Sequence, residues 1–240
     1  MAGRFDGKVA LVTGASGNLG QAAVRAFASE GAKVVLVGRS TDDLIALIDE
    51  LGGDPNRFMA GAADVTDPAS MEALVRQVET RFSQIDVLAH TVGGFGAGQP
   101  AHEAGIEIWD RMMNLNARSV YVSCAAVAKH MVEKGVKGRI VAILSKHAYG
   151  GVAKAAAYSA SKAAAQRVLE SMAAELGSKG INVNGIVPAM IDTPQNRAAS
   201  PNADYSKWVK PEEIAEAILY LTSDAARSIN GVSLNMYGQG

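Results

Sequence analysis

Apolar residues fall in short runs of strand length, separated by stretches in which they recur at helical spacing. Lys8–Thr13 is the first such run. It enters Gly14-Ala15-Ser16-Gly17-Asn18-Leu19-Gly20, and a helical pattern follows through Ala22, Val24, Ala26 and Phe27 to Gly31. Lys33–Arg39 predicts a second strand, and Thr41-Asp42-Asp43 supplies capping residues for the next helix. Further strands are predicted over 57–65, 85–92, 139–144 and 181–187, with a helix opening at Asp67-Pro68. This alternation predicts one α/β domain over residues 1–240, a doubly wound parallel sheet with helices on both faces. Ligands bind such sheets at the carboxyl ends of the strands.

Candidate chemistry gathers at those ends. A glycine-rich turn between strand and helix aims backbone N–H groups and a helix N-terminus at a phosphate. Here Gly14, Gly17 and Gly20 fall three apart, and the commoner GxGxxG spacing is absent. At the tip of the second strand an acidic side chain would read a ribose 2′-OH. This chain has Gly38-Arg39-Ser40 instead, and an arginine there pairs with a 2′-phosphate, which favours NADP(H) while leaving NAD(H) possible. Tyr158 and Lys162 stand four apart in a proline-free helical run, 154–176, so both project from one face. A lysine beside a phenol favours the phenolate and is expected to lower the tyrosine pKa toward working pH, as a general acid or base requires.

Composition narrows the field. The net charge is −1, which points to neither nucleic acid nor an anionic membrane, and no apolar run is long enough to span a bilayer. The N-terminus lacks a signal-peptide pattern, so a cytoplasmic location is expected. The single cysteine, Cys124, reads as a buried small apolar residue. His102 and His147 have no partners at ligand spacing, so no metal site is expected.

Several motifs together resemble the short-chain dehydrogenase/reductases. Thr13 to Gly20 is similar to their TGxxxGxG turn, Tyr158-Ser159-Ala160-Ser161-Lys162 fits YxxxK, and Ser145 stands thirteen residues before the tyrosine. The resemblance implies a Rossmann-like sheet binding a nicotinamide dinucleotide through Gly14, Ser16, Asn18, Leu19 and Gly20. Asp64-Val65 would hold the adenine, with His90 and Gly93 bordering the cofactor and Pro188, Ile191 and Thr193 beside the nicotinamide. It also implies a catalytic set of Asn116, Ser145, Tyr158 and Lys162. Tyr158 would donate a proton to a carbonyl oxygen, or take one from an alcohol, and Ser145 would polarise that oxygen. Lys162 would also bind the nicotinamide ribose, and Asn116 would hold a relay water. Three departures stand out: Asn18 for glycine, His90-Thr91-Val92-Gly93 for NNAG, and Pro188-Ala189 for Pro-Gly.

The segment from Thr193 to Trp208, where such enzymes discriminate substrates, is short and polar and implies a small or extended carbonyl compound. It is similar to the corresponding run of dihydropteridine reductases. Three functions follow: an NADP(H)-dependent reductase or dehydrogenase of a small carbonyl or alcohol, a quinonoid pterin reductase, and a dinucleotide sensor without turnover. The helices over 119–131 and 154–176 carry small apolar residues on more than one face. With the C-terminal strand 231–237 at a sheet edge, the resemblance implies a homotetramer, or a homodimer next.

Overall fold

In the computed structural model, residues 3–238 are described. One seven-stranded parallel sheet is built from β1 Val9–Thr13, β2 Lys33–Gly38, β3 Phe58–Ala62, β4 Val87–His90, β5 Arg139–Ile143, β6 Asn182–Pro188 and β7 Ser233–Met236. Their order is β3-β2-β1-β4-β5-β6-β7. The principal helices are α1 Asn18–Ser29, α2 Asp42–Glu50, α3 Pro68–Phe82, α4 Ile106–Met112, α5 Ser119–Lys134, α6 Ala156–Leu176, α7 Pro194–Ala199 and α8 Pro211–Thr222.

Side chains alternate across each strand, so every central strand serves two cores. In β1, Val9 and Leu11 enter the core shared with α3, α5 and α6, while Ala10 and Val12 enter the one shared with α1, α2 and α8. This double burial explains why the strands read as continuous apolar runs. The chain runs outward in opposite directions from β1 and β4, which pair directly. A crevice at the carboxyl ends of those two strands is the expected ligand position for this topology.

The predicted boundaries shift where local chemistry overrides pattern. Asp67 caps α3 as expected, accepting from Ala69 N and Ser70 N, and Pro68 takes the first helical position. Thr41 makes no capping bond from its side chain. α6 starts at Ala156, two residues after the predicted Lys154, because Lys154 has φ +62° and its carbonyl accepts from Gly98 N at 2.9 Å. A π-helical turn, Met113–Arg118, joins α4 to α5, and Ser119 N bonds Asn114 O, five residues back. Cys124 is fully buried, and burial pushes its thiol up to about 12, consistent with an inert packing residue.

Candidate active site

The glycine turn follows β1 directly. Gly14 has φ +70°, a left-handed conformation that other residues rarely adopt. Gly20 is required for another reason: a Cβ there would lie 2.0 Å from Gly14 O. Ser16, Gly17 and Asn18 are exposed, and no side chain caps α1. A twelve-residue helix with a free N-terminus beside exposed backbone suits a pyrophosphate. Asn18 is the first residue of α1, so the asparagine needs no positive φ; its Nδ2 donates to Gln195 Oε1 at 2.8 Å across the crevice. Leu19 is buried beneath the turn and forms part of the catalytic cleft wall.

Arg39 is exposed immediately after β2. The sequence shows no carboxylate at that strand tip, yet the fold brings one near from β3. Asp64 is held below the usual carboxylate range first by the Thr66 hydroxyl and N–H, and also by the charges of Arg118 and Arg39. Val65 packs partly buried against the first core.

At the end of β4, His90 and Thr91 stand where the family resemblance would put two asparagines. His90 is wholly buried, and its side chain is an internal brace. Its Nδ1 lies 2.9 Å from Thr13 Oγ1 and its Nε2 3.2 Å from Ser119 Oγ. Ser119 donates its only hydroxyl proton to Leu115 O at 2.6 Å, so it accepts from His90 Nε2–H, and Thr13 donates to Nδ1. Thr91 adds a bond to Thr13 O at 2.7 Å. Imidazole and hydroxyl thus tie β4 to β1 and α5 where side-chain amides were expected.

Three residues of the expected catalytic set, Ser145, Tyr158 and Lys162, line one cleft of about 550 Å³, bounded also by Gly93, Phe95 and Pro188. Ser145 lies just past β5, and Tyr158 and Lys162 one turn apart on α6. Burial raises the Tyr158 phenol above its ordinary value, against a hydrogen bond with Ser145 that lowers it. The expected lowering by Lys162 is not found. Lys162 Nζ donates instead to Ile143 O at 3.0 Å, and burial brings its ammonium down to about 8. Helical spacing set the shared face, but a strand-end carbonyl holds the flexible amine.

Asn116 is also buried, within the π-helical turn. Its Oδ1 accepts from Gly94 N at 3.0 Å, while Nδ2 donates to Gly94 O at 3.0 Å and Ser161 Oγ at 3.1 Å. The side chain therefore clamps the glycine loop beside Gly93, whose position leaves only 3.0–3.1 Å between an added Cβ and Asn116 Oδ1 or Lys162 Nζ. Opposite, Ala189 has an ordinary backbone and bonds Met236 O, so the Cβ replacing glycine causes no strain. Ile191 forms a bridge with Val209, and Thr193 caps α7 by accepting from Asn196 N. Two aromatic side chains given no role beside the tyrosine in the sequence, Phe95 and His147, both meet the Tyr158 ring edge-on, at 4.9 and 5.1 Å between centroids. The placement of His147 two residues beyond Ser145 was the available signal.

Comparison with known proteins agrees with this geometry. The short chain dehydrogenase family matches residues 8–204. D-threitol dehydrogenase of Mycolicibacterium smegmatis is 36% identical over 98% of this chain and 93% of its own. 3-Oxoacyl-(acyl-carrier-protein) reductase of Escherichia coli is 33% identical over 98% of this chain and 97% of its own. Among solved structures, a gluconate 5-dehydrogenase from Burkholderia cenocepacia, in complex with NADP and tartrate, superposes with a TM-score of 0.89 at 28% identity, covering 98% of this chain and 95% of that one. The chain belongs to the short-chain dehydrogenase/reductase family, and is an oxidoreductase acting on CH–OH or C=O groups with NAD(P).

Proposed function

We propose that this enzyme transfers hydride between NADP(H) and a small polar carbonyl or alcohol, with Tyr158 as general acid or base. The observation that carries the reading is the meeting of Ser145, Tyr158 and Lys162 in one cleft at the strand ends. The nicotinamide supplies or accepts the hydride when bound. The turn from Gly14 to Gly20 would hold its phosphates, Asp64-Val65 its adenine and Arg39 a 2′-phosphate. Gly93, Pro188, Ile191, Thr193, Tyr158 and Lys162 would flank the nicotinamide half.

In the reducing direction, the Tyr158 O–H donates to the substrate oxygen as negative charge develops there. Ser145 O–H gives that oxygen a second donor. Lys162 Nζ, held near the phenol's end of the cleft, would leave Ile143 O for the ribose hydroxyls and lower the tyrosine pKa only then. Asn116 keeps the Gly94 loop in place, and a relay water would sit near it. The polar segment around α7 and the relatives named for threitol and gluconate support a small hydroxylated substrate. We further read the functional unit as one cytoplasmic domain assembled as a homotetramer. β7 is an edge strand, and Tyr121 and Val132 on α5 are exposed. No described helix is long and apolar enough to cross a membrane.

The test is NADPH oxidation with erythrulose, 5-ketogluconate, an acetoacetyl thioester and quinonoid dihydropterin. Turnover of a ketone, slowed in Ser145→Ala, is the expected result. Turnover of the pterin alone, insensitive to Ser145→Ala, would replace the carbonyl reading with the pterin one.

A further inference from the structure

His147 belongs to neither the expected catalytic set nor any expected cofactor contact, yet its imidazole meets the Ser145 hydroxyl and the Tyr158 ring. Nδ1 lies 3.2 Å from Ser145 Oγ, and the His147 backbone N–H donates to the same oxygen at 3.3 Å. The ring stands edge-on to Tyr158, centroids 5.1 Å apart at 67°. Phe95 closes the other side, 6.2 Å from His147 and 4.9 Å from Tyr158. Three rings in mutual edge contact hold the imidazole in one orientation.

A serine hydroxyl has one proton to give and two lone pairs to fill. The His147 backbone N–H fills one. With Nδ1 protonated, His147 fills the second, and the Ser145 proton is turned away from the ring into the cleft, toward the Tyr158 oxygen or a substrate oxygen. With Nδ1 bare, Ser145 donates to the ring and its polarising proton is withdrawn. We propose that His147 is a positioning residue whose Nδ1–H fills the second lone pair of Ser145 Oγ and thereby aims the Ser145 proton at the substrate. Burial, and after it the Lys146 charge, disfavours the imidazolium, so the role falls to a neutral ring and requires its Nδ1–H tautomer. The inference rests on the reading of Ser145 as a donor to the substrate oxygen.

The experiment is a double-mutant cycle with NADPH and the fastest ketone of the panel above. His147→Phe keeps the ring and removes the donor; His147→Asn restores an N–H close to the Nδ1 position. Expected are a roughly tenfold lower kcat in His147→Phe with NADPH affinity unchanged, recovery of most of it in His147→Asn, and less than about a twofold effect of His147→Phe when Ser145 is already alanine. Should His147→Phe fail to fold, His147→Leu makes the same comparison. An equal effect of the His147 change with and without Ser145, or full kcat in His147→Phe, overturns the proposal alone. Unchanged kcat in Ser145→Ala overturns it together with the donor reading on which it rests.

Discussion

Replacing His90 with asparagine exposes the interior brace through the pH dependence of stability. His90 is neutral because both partners are satisfied by the Nε2–H tautomer and because the site is dry. Burial, and after it the Lys162 charge, pushes its pKa down to about 3, against an ordinary value of 6.5. The unfolded chain therefore binds a proton over that interval that the folded chain refuses. The stabilisation is full above pH 6.5 and is lost as pH falls toward 3, at up to about 1.4 kcal/mol per unit. At pH 5 the protein is about 1.5 units below the ordinary value, so His90 alone removes about 2 kcal/mol. Asparagine does not titrate, while His130 and the carboxylates are common to both proteins. At neutral pH the variant is less stable by about 1–3 kcal/mol, because asparagine can still meet Thr13 but is too short to reach the buried Ser119 hydroxyl. Urea unfolding at pH 7.5 and 5.0, at one protein concentration, measures both effects. The wild type is expected to lose about 2 kcal/mol more than the variant on acidification. Equal losses would show that His90 is not the neutral, sealed group described.

Other outcomes follow from single contacts. Gly20→Ala drives a Cβ to 2.0 Å from Gly14 O, so NADPH titration should show loss of binding, with a destabilisation of about 1–3 kcal/mol in thermal melts. Arg39→Ala should reduce any preference for NADPH over NADH by up to ten- to a hundred-fold, the scale of one charged contact at about 1.5–3 kcal/mol. The nearby Asp64 carboxylate competes for Arg39, which places the effect toward the low end; binding titrations of both cofactors at one ionic strength decide it. Light scattering across a dilution series should give four chains, and a single-chain mass in active enzyme would rule the assembly out.

The sheet and most of the site were legible because each rests on a local pattern. Doubly buried strands make apolar runs such as Lys33–Gly38, and glycine marks turns where a Cβ has no room, as at Gly20. Legibility failed where distance in sequence is bridged by a fold. Asp64 comes close to Arg39 only through the pairing of β3 with β2. His90 meets Thr13 and Ser119 only because β1, β4 and α5 pack together, so its bracing partners could not be named from sequence. Lys162 illustrates a different limit. Its spacing from Tyr158 is read correctly, but a four-carbon stem reaches several acceptors, and Ile143 O holds the ammonium. The π-helical turn around Asn116 had no signature in apolar spacing, since one wide turn does not disturb a short amphipathic pattern.

The central claim is that Tyr158 handles the proton at the reacting oxygen. Tyr158→Phe keeps the ring against Phe95 and His147 and removes only the hydroxyl. Single-turnover NADPH oxidation with the best ketone, run beside an NADPH binding titration, tests it directly. Hydride transfer should collapse by at least about a hundred-fold, the scale of general acid catalysis, while cofactor affinity barely moves. A variant that keeps most of the wild-type rate would contradict it.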